Sequence, residues 1–176
     1  EEHKNSFKFY SGTGSHSSEL IKTYVIEVNK FISNFKDKPN VVDLGCGDFF
    51  IGEQIRKNCN KYIAVDIVED LIKFNRIKFR DLDVDFKVLN ITSDDLPEGD
   101  ICFLRQVLQH LSNNLIQNFL NLMKNKYKYL VLTEHLPSLK KFQSNIDMPT
   151  SSYIRLAKKS GVNLQDPPFN LKMINQ

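Results

Sequence analysis

Val41-Val42-Asp43-Leu44-Gly45-Cys46-Gly47-Asp48 is the stretch on which the reading of this chain turns. A short apolar run containing one acid ends in two glycines one residue apart. That pattern describes a buried strand entering a turn where a ligand approaches the backbone. A dinucleotide fingerprint would need a further glycine or alanine three residues after the second, so that the next helix can close on the strand. Phe50 occupies that position. Asp43 would also repel a pyrophosphate, and it suits a ligand that carries positive charge.

Outward from this turn, helices and strands alternate. Upstream, apolar residues recur at helical spacing from Leu20 and Ile21 to Ile32 and Phe35, and the helix stops before Lys38-Pro39. Downstream, the pattern predicts a helix over 52–58 and a buried strand over 62–66 that ends at Asp66. Glu69 and Asp70 then open a helix with Lys73, Arg76 and Lys78 towards its end. Strands over 84–89, 101–104 and 129–132 follow. Between the last two, Ser112 caps a helix and Leu111 staples onto Ile116. An irregular stretch over 136–150 leads to a final helix over 151–160, ended by Gly161.

This order predicts an α/β fold, a doubly wound and mostly parallel sheet with helices on both faces. The chain of 176 residues fits a single domain. It divides into a leader and lid helix over 1–37, a cofactor-binding core over 38–135 and a substrate-side segment over 136–176. Ligands of such sheets bind beyond the carboxyl ends of the strands, where strand order reverses. That rule directs attention to Asp43 through Asp48, Asp66, Asn90, Arg105 and Glu134.

A net charge of +3 with scattered lysines gives no basic stripe for nucleic acid. No apolar run approaches the ~20 residues of a membrane span. Cys46, Cys59 and Cys102 are odd in number and lack metal-like spacing, so reduced thiols, a cytoplasmic location and no metal site are expected.

The acid, the Gly-x-Gly turn and the second acid at Asp66 resemble class I S-adenosylmethionine-dependent methyltransferases, over about 41–135. The resemblance implies S-adenosyl-L-methionine as cofactor. It gives Asp43 the methionine amino group, and it gives Gly45, Cys46 and Gly47 the close backbone approach. Asp66, with Ile67 beside it, would take the ribose hydroxyls. Asn90 and Ile91 would hold the adenine edge, where the family often has Asp, with the amide pairing to the exocyclic amine. Arg105 and Gln106 begin the segment after the fourth strand, which is similar to the small-molecule branch. The Asn-Pro-Pro-aromatic signature of DNA and protein amide methyltransferases is absent. Ser11-Gly12-Thr13-Gly14-Ser15 and Pro167-Pro168-Phe169-Asn170 resemble a bacterial surface-glycan subset. The family sheet has seven strands, the last two a hairpin. Residues 161–176 hold one strand but hardly two, so either the last strand lies beyond Gln176 or the sheet edge is built differently.

A hydroxyl acceptor needs a base. His110 is the first candidate because histidine titrates near neutral pH, followed by Glu134 and His135, with His16 available if the leader closes over the site. Structural readings stand beside these. Asp66 can be a helix cap, Asn90 a turn residue, Arg105 an ion-pair partner and His110 a core histidine. Glu134 and His135 can orient groups without taking protons, and Tyr24 reads as core or lid packing. The expected activity is O-methylation of a small-molecule or glycan acceptor. N-methylation of a small amine or amino sugar and a non-catalytic cofactor-binding module are the alternatives.

Overall fold

In the computed structural model, residues 18–172 are described. The elements run α1 (Ser18–Ser33), β1 (Val41–Leu44), α2 (Phe50–Arg56), β2 (Tyr62–Asp66), α3 (Glu69–Lys78), β3 (Asp85–Val88), β4 (Ile101–Arg105), α4 (Asn113–Leu122) and β5 (Tyr129–Thr133). The five strands form one sheet in the order β3-β2-β1-β4-β5, and every pair is parallel. The doubly wound expectation holds, with strand order reversing between β1 and β4.

Alternation along each strand divides the core into two layers. Val41, Ala64, Ile101 and Phe103 face α1, α2 and α3 through Val28, Ile55 and Ile72. Val42, Leu44, Val65 and Cys102 face α4 through Ile116 and Phe119. On the first side, Phe31 of α1, Phe35 just beyond its end and Tyr129 of β5 meet edge to face at 5.4 to 5.5 Å. This clamp lays α1 across the sheet and brings Tyr24, two turns earlier, to the strand reversal. No helix among the described residues is long and apolar enough to cross a membrane.

Phe50 does not block the first helix. It opens α2 and is 39% exposed, while Phe49 takes a left-handed conformation (φ 60°) and turns its ring fully inward. That ring meets Tyr62, Phe79 and Phe86 edge to face. Gly52 then supplies the close approach that the dinucleotide fingerprint places two residues earlier. A Cβ there would lie 2.2 Å from the Phe49 ring.

Two expectations fail at the carboxyl end. No helix forms over 151–160; only a 3₁₀ turn, Arg155–Lys158, is present, and Lys159 ends it at φ 53°. Other bonds compete with the helix: the Ser151 amide donates to the distant His110 carbonyl and the Tyr153 amide to the nearby Ser151 Oγ. Gly161 is small for another reason. A Cβ on it would stand 2.7 Å from the His135 carbonyl oxygen. Nor does 161–172 form a hairpin strand. Val162, Leu164 and Phe169 instead pack as irregular chain onto the α4 side of the sheet.

Gly52→Ala is expected to lower stability by about 1–3 kcal/mol, since the added methyl displaces the Phe49 ring from a closed core. A urea midpoint equal to that of the parent would show that the ring can yield.

Candidate functional site

The turn after β1 is fixed by backbone geometry. Gly45 and Gly47 have φ of 82° and 55°, values that glycine adopts without the strain a side chain would add. The amides of Gly45 and Cys46 both donate to the Val65 carbonyl. The Gly47 amide donates to Asp66 Oδ2 at 3.1 Å, and Asn75 of α3 donates to the Gly47 carbonyl at 2.7 Å. Asn75 is fully buried. The sequence reading missed it, although a lone amide on the Leu71–Ile72 face of an amphipathic helix is a usable signal.

Asp43, Tyr62, Tyr24 and Arg105 form the floor beside this turn. Tyr62 donates its hydroxyl to Asp43 Oδ2 at 2.9 Å. Arg105 stacks over the Tyr24 ring at 5.5 Å, so Tyr24 is a wall of the site and not merely core packing. Burial pushes the Asp43 carboxyl up to about 7; the Tyr62 bond opposes this, Asp66 adds to it and Arg105 opposes it. Burial also raises the Tyr24 phenol and the Cys46 thiol, and lowers Arg105.

These groups open into a cavity of about 950 Å³, at the upper end of the ~300–1,000 Å³ usual for ligand pockets. Asp43, the glycine turn, Asp66, Asn90, Arg105 and His110 all line it. Ile67, beside Asp66, is 63% exposed and, with Leu89 and Ile91, presents apolar surface to the cavity. Acids at one end, backbone in the middle and an apolar rim fit a sulfonium nucleoside, whose charge, ribose and flat base need these in turn.

Individual residues divide between ligand-facing and internal duty. Asp66 already accepts from the Gly47 and Val68 amides, one per oxygen, so it caps the approach to α3 and keeps lone pairs for hydroxyls. Asn90 is turned the other way from expectation. Its Oδ1 accepts from the Thr92 amide and hydroxyl at 3.0 and 2.8 Å. What it can offer the cavity is the amide N–H₂, a donor, and an exocyclic amine needs an acceptor.

The candidate bases separate clearly. Glu134 does not line the cavity. Its two oxygens accept from the amides of Val107, Leu108 and Gln109 at 2.8 to 3.2 Å. Burial raises its carboxyl to about 7 against the pull of those amides. It therefore positions the 3₁₀ turn Leu108–His110. His135 lines the cavity, but both ring nitrogens are engaged, Nδ1 with Gln109 Oε1 at 3.0 Å and Nε2 with Gln106 Nε2 at 3.1 Å. A neutral ring that donates to the first and accepts from the second has no lone pair left for a substrate. Burial, Arg105 and His110 lower its pKa. His110 Nδ1 faces the Tyr153 carbonyl at 3.2 Å. A carbonyl only accepts, so the neutral ring carries its proton on Nδ1 and its lone pair on Nε2. His16 lies outside the described residues, as do the leader glycines.

Asp43 gives a pH signature. Its folded pKa lies above the unfolded value, so between about pH 4 and 7 the folded state binds more protons and the Asp43 contribution to stability falls as pH rises. In ligand-free protein, the stability of wild type minus that of Asp43→Asn is expected to fall from pH 5 to 8 by up to ~1.4 kcal/mol per unit. A flat difference in urea unfolding would mean that the carboxyl titrates normally.

A family profile described as a methyltransferase domain matches residues 41–128, half of the chain. An S-adenosylmethionine-dependent methyltransferase from Clostridium acetobutylicum superposes with a TM-score of 0.59 at 13% identity, over 70% of this chain and 55% of that one. The magnesium protoporphyrin IX methyltransferase of Synechocystis, solved with S-adenosylhomocysteine, gives 0.57 at 15%, over 68% and 57%. Coclaurine N-methyltransferase, bound to N-methylheliamine and S-adenosylhomocysteine, gives 0.56 at 19%, over 73% and 40%. At such identities the likeness is one of fold, and the chain spans about half the length of these structures. No curated protein sequence matches it. The chain therefore belongs to the methyltransferase domain family, in the class I, S-adenosylmethionine-dependent branch that its glycine turn resembles.

Proposed function

We propose that this chain transfers a methyl group from S-adenosylmethionine to a hydroxyl of a small acceptor, with His110 as the base. The observation that carries this reading is the meeting of Asp43, the Gly45 turn, Asp66 and His110 around one cavity. Bound there, S-adenosylmethionine supplies a methyl already activated on a sulfonium, so the protein's work is alignment and exclusion of water. Alignment alone is worth ~7–11 kcal/mol of barrier in well-oriented reactions.

Each residue has a task on this reading. Asp43 faces the positive end of the cofactor and Asp66 the ribose. Ile67 and Ile91 give the base its apolar bed, and Asn90 donates to a ring nitrogen. His110 receives the acceptor proton on Nε2, while the Tyr153 carbonyl holds the opposite nitrogen protonated. Glu134, through three amides, fixes the turn on which His110 stands, and the Gln106–His135–Gln109 chain stiffens the wall beside it. A sugar or glycan precursor as acceptor follows from the glycan-subset resemblance, and a cytoplasmic site of action from the cysteines.

Calorimetry with S-adenosylmethionine and S-adenosylhomocysteine is the direct test; folded protein that gives no heat with either overturns the reading. In turnover assays, His110→Ala is expected to lower kcat by roughly 10²–10⁴-fold while retaining cofactor affinity. A variant as active as its parent removes His110 from the chemistry. Binding without turnover of any alcohol or amine would favour a regulatory module.

A further inference from the structure

Among the described residues, charge in the cavity is confined to one end. Its ionic side chains are Asp43, Asp48, Asp66 and Arg105, all at the carboxyl ends of β1, β2 and β4. From Gln106 onward, the described lining residues include no Asp, Glu, Lys or Arg. That far end is built by His110, Leu111 and Leu115 from one segment and by Thr150, Ser152 and Ile154 from another.

The two segments are laced together. The Ser151 amide donates to the His110 carbonyl at 3.1 Å, the Ser112 amide to Thr150 Oγ1 at 3.0 Å, and His110 Nδ1 to the Tyr153 carbonyl at 3.2 Å. Behind them Arg155, 1% exposed, donates to the carbonyls of Leu111 and Ile146. Arg155 does not line the cavity, so this buried cation holds the wall and offers nothing to a ligand. The wall itself therefore presents three apolar side chains, an imidazole lone pair and two hydroxyls. Thr150 Oγ1 already accepts from an amide and has its own hydrogen to give.

Resting on the reading of this cavity as a joint cofactor and acceptor site, we propose that the acceptor group entering beside His110 is an uncharged, hydroxyl-bearing ring with one apolar face, such as a neutral pyranose, and that Leu111, Leu115 and Ile154 select it. A phosphate, carboxylate or ammonium on that ring would give up part of its hydration against Leu111, Leu115 and Ile154 and, among the described residues of this wall, gain no counter-charge, which is costly. Charged parts of a larger acceptor stay outside the cavity.

Saturation-transfer NMR tests this on the full chain with S-adenosylhomocysteine bound. The probes are four methyl glucosides differing at one carbon, which carries a hydroxyl, an ammonium, a carboxylate or a phosphate. The neutral ring is expected to bind at least about tenfold tighter than each charged one, a discrimination within reach of a single pocket. Leu115→Asp places a carboxylate in the first turn of α4, where the helix dipole favours it, and circular dichroism checks its fold. In that variant the ammonium-bearing ring is expected to become the best of the four. A charged ring preferred by the parent, no ring bound, or an unchanged ranking in Leu115→Asp overturns the inference. S-adenosylhomocysteine is titrated in the same samples, and its failure to bind would instead bring down the cofactor reading beneath it.

Discussion

Gly45 and Val107 meet where strand order reverses, and nothing larger than a hydrogen fits between them. A Cβ on Gly45 would lie 2.3 Å from Val107 Cγ2. This contact sets the distance between the turn after β1 and the segment after β4, which otherwise diverge as the sheet twists. Everything chemical depends on that distance. The cofactor turn lies on one side of the contact and the 3₁₀ turn bearing His110 on the other, and a single cavity spans both. Strand register brings the two strands to this point together, since Leu44 pairs with Leu104 and both are fully buried.

The 107–110 segment leaves β4 through Gln106 at φ 57°, a conformation that costs a non-glycine residue some energy. Glu134 and Thr133 compensate. Thr133 accepts the Gln106 amide and Glu134 accepts the next three. The exit of β5 thus supplies carboxyl and carbonyl acceptors under the start of a turn, much as a capping residue serves a helix. Removal of the carboxylate would leave three amides to find new partners in a buried place. This is why a glutamate at a strand end, which looks catalytic in isolation, serves here as scaffold, and why the neighbouring His135 is tied to Gln106 and Gln109.

Sheet and cofactor end were readable in the sequence because they obey short-range rules. Short apolar runs, and alternation over 84–89, placed the strands within a residue or two, and Asp43, Gly45, Gly47 and Asp66 stand at positions that parallel topology fixes. What failed depends on distant partners. The helix expected over 151–160 has adequate local spacing, but its backbone bonds to His110, some forty residues away. Gly52 and Phe49 divide a packing role that the fingerprint assigns to one position. The orientation of Asn90 is decided by Thr92, a local Asx turn that the sequence permits without requiring. The two tasks of Tyr24, packing on the sheet and carrying Arg105, cannot be separated by periodicity.

Asp43, Asp48, Asp66 and Arg105 line one cavity, and burial there disfavours the ionised form of the Asp43 carboxyl. Asp43 shows the cost, since in a buried site with a tyrosine hydroxyl as hydrogen-bond donor its carboxyl is held up near neutral pH. A cation entering the cavity changes the balance, because it favours the ionised form of Asp43. Part of the binding energy of a sulfonium nucleoside is then relief of strain already present in the folded chain. Ligand at a hundredfold excess over its Kd adds ~2.7 kcal/mol to stability. The far end of the cavity differs, since its described walls carry apolar side chains, hydroxyls and the His110 imidazole and no carboxylate or guanidinium. On the proposed reading, cofactor and acceptor are discriminated by different physics within one cavity, the first by charge compensation and the second by the absence of charge on the described walls.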